Sequence, residues 1–172
     1  MVRARRELIA SRLRVDGRNI FDKPLVGFGP GSTTPPSMNI RQIMSTRVVT
    51  VGLDDKLAHV KELFDHHKFH HLLVIDEQQL CGVVSDRDLL KALSPNLGTA
   101  AETAKDLATL NKRVHQVMTR KPIVLHEDAT VDQAVELFNQ HRISSLPVVD
   151  GQNRPLGIVT WRDLLKAWRP DR

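Results

Sequence analysis

Two passages of this 172-residue chain carry the same polar pair at the same spacing. Residues 82–93 read GVVSDRDLLKAL, and residues 157–168 read GIVTWRDLLKAW. In each, a hydroxyl (Ser85, Thr160) stands three residues before a carboxylate (Asp88, Asp163). Two chemistries use that spacing. A hydroxyl at a helix start accepts from a free backbone amide, and an acid three residues on closes a capping box. The same corner also suits recognition. A helix start offers free N–H groups and a positive dipole end to phosphate. An ionised Asp only accepts hydrogen bonds, through two oxygens, and a ribose offers two vicinal hydroxyls as donors. A bare helix cap and a ribonucleotide site are both open readings, and they are compatible.

Positioning such a pair twice calls for a duplicated scaffold, and the chain contains one. At an offset of 74, Ile43-Met44-Ser45 falls on Val117-Met118-Thr119, and Lys61-Glu62-Leu63-Phe64 falls on Val135-Glu136-Leu137-Phe138. Leu72–Asp76 falls on Leu146–Asp150. One residue inserted in the turn QNRP moves the offset to 75, which aligns Gly82 with Gly157 and Asp88 with Asp163. Each copy reads as a short strand (48–51; 123–125), an amphipathic helix and two apolar strands joined by a polar turn. The two strands cover 72–75 and 81–84 in one copy, 146–149 and 157–159 in the other, and a last helix follows at 86–93 and 161–168. A helix over 99–110 is expected to connect the copies. One unit of about 55 residues is marginal alone, so the two should share a core about a pseudo-two-fold axis.

Outside the repeat, residues 27–37 read GFGPGSTTPPS, a linker composition. The segment Arg3–Arg14 has the spacing of a short basic helix. The net charge of +5 is uneven, with +4 in residues 1–38 and +1 in 39–172. No apolar run approaches the roughly 20 residues of a membrane span, and the start lacks a secretory pattern. A single cysteine, Cys81, closes no internal disulfide and lies in an apolar run, which fits a buried thiol and a cytoplasmic location. Tyr is absent and aromatics make up 4%, so stacking platforms for single strands are scarce. The chain has no DNA-reading motif, and loose phosphate contacts by the arginines are the alternative left to nucleic acid.

The paired βαββα pattern, the Ile-Met-Ser and Val-Met-Thr openings and the Gly-x-Val-Ser/Thr-x-x-Asp junctions resemble the tandem cystathionine-β-synthase (CBS) domain family over residues 40–168. The resemblance implies an α+β fold with repeats over 39–93 and 114–172, joined by a connector at 94–113 and preceded by a basic segment at 1–38. It implies a non-catalytic regulatory module that senses AMP, ADP or ATP, ahead of S-adenosylmethionine, between the repeats. A homodimer and an effector protein are the implied partners, and no cofactor is required. An empty, purely structural scaffold is the alternative. Ser85, Asp88, Thr160 and Asp163 become phosphate and ribose contacts. The base is expected near Thr46, Val48 and Val49 and near Arg120, Pro122 and Ile123, within Thr46-Arg47-Val48-Val49 and Arg120-Lys121-Pro122-Ile123.

His70-His71 looks like the phosphate-meeting His-Arg pair of the gamma subunits of AMP-activated protein kinase, with the Arg changed to a weaker, pH-dependent cation. Copy 2 has Ser144-Ser145 there, so phosphate is expected to be neutralised better by copy 1. Lys68, Arg142, Arg87 and Arg162 are further candidate cations. His66/His70 and His67/His71 have the i,i+4 spacing of a zinc pair, but the strand starting at Leu72 should end the helix first, and no further ligand completes a tetrahedral set. Neither hydroxyl has an arranged base, which argues against catalysis.

Overall fold

The computed structural model describes residues 38–67 and 69–167, together with a short antiparallel pair, Arg14–Val15 with Arg18–Asn19. That pair belongs to a first unit, Met1–Pro36, and the repeats to a second, Ser37–Arg172. The basic helix expected over 3–14, apart from Arg14, and the linker at 27–37 lie outside the described residues, as do Lys68 and Trp168.

Copy 1 runs β1 (Thr50–Gly52), α1 (Leu57–His66), β2 (His71–Asp76), β3 (Gln79–Ser85) and α2 (Asp86–Ala92). The connector holds α3 (Ala104–Ala108). Copy 2 runs β4 (Thr119–Arg120), β5 (Leu125–His126), α4 (Val131–Gln140), β6 (Ser145–Val149), β7 (Pro155–Thr160) and α5 (Trp161–Ala167). The sheets are ordered β1-β2-β3-β4 and β5-β6-β7. In each, the first strand runs parallel to the second and the rest pair antiparallel. The sheets are covered on both faces, so their strands read as apolar runs rather than alternations. Leu72 and Val74 pack with Leu57 and Val60 of α1, while Leu73, pointing the other way, joins Val83 and Val149 in a central cluster between the copies.

The openings of the two copies are exchanged. Thr119 and Arg120 of copy 2 pair with Val83 and Gly82 of copy 1. Ser45 of copy 1 pairs with Ile158 of copy 2 through backbone bonds of 2.9 and 3.0 Å. Ahead of each lies a 3-10 turn, Ile40–Gln42 and Val114–Gln116. Ile40 is fully buried in the core of copy 2, and Val114 in that of copy 1. The first amides of α1 and α4 have no partner in their own helices. Leu57 N donates to Lys112 O at 2.9 Å and Val131 N to Met38 O at 2.8 Å, again across the copies. These contacts obey the 74-residue offset, which makes the pseudo-two-fold axis explicit.

Two elements differ from expectation. The first strands begin later, at Thr50 and Leu125, and Val48 and Val124 ahead of them pack against the central cluster. The connector helix is only five residues, followed by a 3-10 turn at Thr109–Asn111. Thr103 caps it, and Asp106 accepts from the Ser94 hydroxyl (2.6 Å), the Thr103 hydroxyl (2.6 Å) and the Thr103 amide (2.8 Å). Those donors, Ser94 foremost, lower the Asp106 carboxyl to about 2. Gly98, at φ +74°, belongs to the turns before that cap.

Candidate functional site

The Ser85–Asp88 corner forms the full capping box, and the Thr160–Asp163 corner forms, among the described residues, only its bonds to the carboxylate. Ser85 precedes α2, accepts from Asp88 N at 3.2 Å and donates its hydroxyl to Asp88 Oδ2 at 2.6 Å, while Ser85 N donates to the same oxygen at 3.0 Å. Thr160 repeats the last two bonds on Asp163 Oδ2, at 2.6 and 2.9 Å. In each corner Oδ2 is engaged locally. Oδ1 of Asp88 has no hydrogen-bond partner among the described residues, and Oδ1 of Asp163 has only Lys166 Nζ at 3.8 Å. The helices themselves have seven residues each, so the carboxylates and nearby cations, rather than a long dipole, are what a ligand would meet.

Each corner opens into a cleft built by both copies, and the clefts are crossed. The first, of about 400 Å³, sets Thr160, Asp163, Arg162 and Lys166 of copy 2 against Arg47, Val48, Val49, Phe69, His70 and His71 of copy 1. The second, of about 340 Å³, sets Ser85, Asp88, Arg87 and Lys91 of copy 1 against Lys121, Pro122, Ile123, Arg142 and Ile143 of copy 2. The Asp163 side chain is 19% exposed, and Asp88 is half-buried. Both clefts follow from the strand exchange, since each copy's opening segment runs beside the other copy's last strand.

The structure therefore brings Ser85, Asp88, Thr160, Asp163, His70, His71, Val48, Val49, Pro122, Ile123, Arg87 and Arg162 to cleft walls. It leaves out Thr46 and Arg120. Ser45 and Arg47 line one cleft and Thr119 and Lys121 the other, while the residues between them do not; Lys121, at φ +48°, stands at a bend just past β4. Arg120 instead donates Nη2 to His115 O at 2.8 Å. Sequence reading also passed over Lys91 and Lys166. Each stands three residues after its aspartate on one helix face, a spacing that signals neighbours. Trp161, 47% exposed with the Arg162 guanidinium 5.4 Å from its ring centre, was missed as well.

The helix ends before the second pair of histidines, as expected. Helix α1 ends at His66 and His71 opens β2, so the i,i+4 pairs share no helix. His70 Nδ1 lies 2.7 Å from Asp86 Oδ2, and His71 Nε2 lies 3.0 Å from Ser144 Oγ. Burial pushes the His71 ring below its ordinary value, helped by His70 and Arg87 and opposed by Asp86 and Asp88. The cleft of Asp88 gathers Arg87, Lys91, Lys121 and Arg142 around one carboxylate. The cleft of Asp163 has as many permanent cations, Arg47, Arg87, Arg162 and Lys166, beside two carboxylates, Asp86 and Asp163. Cys81 donates Sγ to Val74 O at 3.2 Å, and burial raises its thiol, which fits a packing role.

The CBS domain family profile matches residues 40–95 and 114–169. The chain belongs to the CBS domain family. It is a CBS pair. It is 28% identical, with a TM-score of 0.63, to a CBS domain pair solved in complex with 5′-methylthioadenosine and S-adenosyl-L-methionine, covering 77% of this chain and 96% of that one. It is also 28% identical, with a TM-score of 0.62, to the protein CBSX2 in complex with AMP, covering 76% and 95%. An L-aspartate semialdehyde sulfurtransferase of Methanocaldococcus jannaschii is 27% identical over 158 residues, 90% of this chain but 28% of that enzyme. The chain thus spans little more than a quarter of that relative. No helix among the described residues of this CBS pair is long and apolar enough to cross a membrane.

Proposed function

We propose that this CBS pair is a non-catalytic regulatory module that binds AMP, ADP or ATP in its clefts and passes occupancy to a partner protein or a second copy. The observation that carries the reading is the state of Asp88 and Asp163. Each closes its helix cap with Oδ2 alone and stands in a cleft with Oδ1 available to ribose hydroxyls. Apolar walls (Val48, Val49, Phe69; Pro122, Ile123, Ile143) suit a base, and the lysines and arginines suit phosphate. The CBS pairs solved with AMP and with S-adenosyl-L-methionine support an adenosine ligand. Regulation requires that the ligand favour one conformation over another. Equilibrium titration with AMP, ADP, ATP and S-adenosylmethionine tests the reading. Saturable sub-millimolar binding by a nucleotide is expected, and its absence for all four rejects it.

A second copy is the natural receiver of the signal. Leu90 and Leu165 occupy equivalent positions on α2 and α5 and are 73% and 58% exposed. Exposed leucines at positions related by the pseudo-two-fold favour a two-fold interface. Native mass spectrometry of the full chain should show a dimer that Leu90→Glu weakens, and a monomer at micromolar concentration overturns this part. The scaffold reading rests on one observation, that the Ser85–Asp88 capping box is complete without ligand.

A further inference from the structure

His71, Ser85, Arg87 and Ser144 each line both cavities. The clefts are therefore separated by a common wall, and the wall is polar. The His71–Ser144 hydrogen bond spans it from copy 1 to copy 2, and Arg87 supplies its permanent cation. The groups private to each cleft are different in kind. They are the apolar base-sized surfaces and the aspartate, with Arg47, Arg162, Lys166 and the His70–Asp86 pair on one side and Lys91, Lys121 and Arg142 on the other.

A nucleotide placed by these chemistries has its base at the apolar end, its ribose on Asp163 or Asp88, and its phosphates directed along the remaining polar surface. A monophosphate brings about two negative charges and a longer chain correspondingly more. One phosphate beside the ribose is served by the private cations. A polyphosphate extends to the wall, where a single guanidinium offers one bidentate fork and burial lowers the His71 ring below its ordinary value. Two polyphosphates directed to that wall would face each other across the same four side chains, and like charges so placed repel. We infer that the two clefts share one phosphate-binding wall, so that a bound nucleoside triphosphate opposes a second while two monophosphates are held together.

This inference rests on the nucleotide reading above, and one experiment separates their fates. The full chain is titrated with AMP and with ATP by calorimetry, and stoichiometry is confirmed by equilibrium dialysis. The expected result is two AMP per chain with similar affinities. For ATP, one molecule binds tightly and the second at least about tenfold more weakly, a coupling of ordinary size for linked sites. Raising salt should narrow the ATP gap and leave the AMP pattern unchanged. Arg87→Gln should weaken the tight ATP more than it weakens AMP. Two equal, independent ATP sites overturn the inference and leave the nucleotide reading standing. One AMP and one ATP per chain also overturn it, because only one cleft is then a site. Equal effects of Arg87→Gln on both ligands overturn the shared wall. Absence of binding by either nucleotide ends both readings.

Discussion

Gly82 lies against Met118 so closely that a Cβ on it would stand 2.6 Å from Met118 Sδ and 3.0 Å from Thr119 O. Gly157 stands in the same relation to Met44 Sδ (2.8 Å) and Ser45 O (2.9 Å). The glycine and the methionine of the repeat are thus two halves of one contact, made between copies and not within them. It is also the seam along which both clefts are assembled. Gly82→Ala or Gly157→Ala should destabilise the pair by about 1–3 kcal/mol, the usual scale of overpacking. Urea denaturation checks this. Adding Met118→Ala to Gly82→Ala should restore only part of the loss, because the Thr119 carbonyl is fixed by its ladder bond and does not yield.

Much of this was visible in the chain. The two copies, the order of elements within them and the Ser/Thr–Asp corners follow from local spacing. The pairing between copies does not. Gly82 reads as a motif residue, but its reason, Met118, belongs to the other copy. The same exchange places His70 in the cleft of Asp163 rather than that of Asp88, which no within-copy comparison reveals. Thr46 and Arg120 missed the clefts by a single position, since segments this short give no register until their partner strand is known.

The aspartates separate recognition from capping. Asp88→Ala and Asp163→Ala should each cost about 1 kcal/mol, the scale of a lost cap. If ribose is held by Oδ1, each change should also lower adenosine-ligand affinity in its own cleft by at least roughly tenfold, as expected when a hydrogen-bonded charge is removed. Replacing AMP by its 2′-deoxy form should mimic that loss in the unmodified chain. A full stability loss with unchanged affinity selects the scaffold reading.

His71 makes the cleft sensitive to acid. Its folded value lies below the ordinary 6.5, chiefly through burial. On acidification the unfolded chain takes up this proton first, so the unfolded state is favoured as pH falls through 6.5 and the loss levels off below the folded value. His71→Gln should flatten that part of the stability–pH curve. An anion on the shared wall acts oppositely by favouring the charged ring. ATP binding is therefore expected to take up protons below the ordinary histidine value of 6.5, seen as a dependence of binding heat on buffer ionisation, and His71→Gln should reduce that uptake.

The longer turn of copy 2 has a use of its own. Asn153, at φ +61°, donates Nδ2 to Leu80 O at 2.9 Å, and its own carbonyl accepts from Leu80 N at 2.9 Å. Both polar groups of the Leu80 backbone are thereby satisfied by the other copy. The turn is held open for this by Asp150, which is 8% exposed and accepts from the amides of Gln152 and Arg154 and from Arg154 Nε. Those donors, the Arg154 amide foremost, lower the Asp150 carboxyl. Asn153→Ala removes one cross-copy hydrogen bond and puts alanine in a left-handed conformation, so a loss of about 1–2 kcal/mol is expected. Asn153→Gly removes the same bond without the backbone strain and should cost less. An Asn153→Gly variant as unstable as Asn153→Ala would assign the whole effect to the side-chain bond.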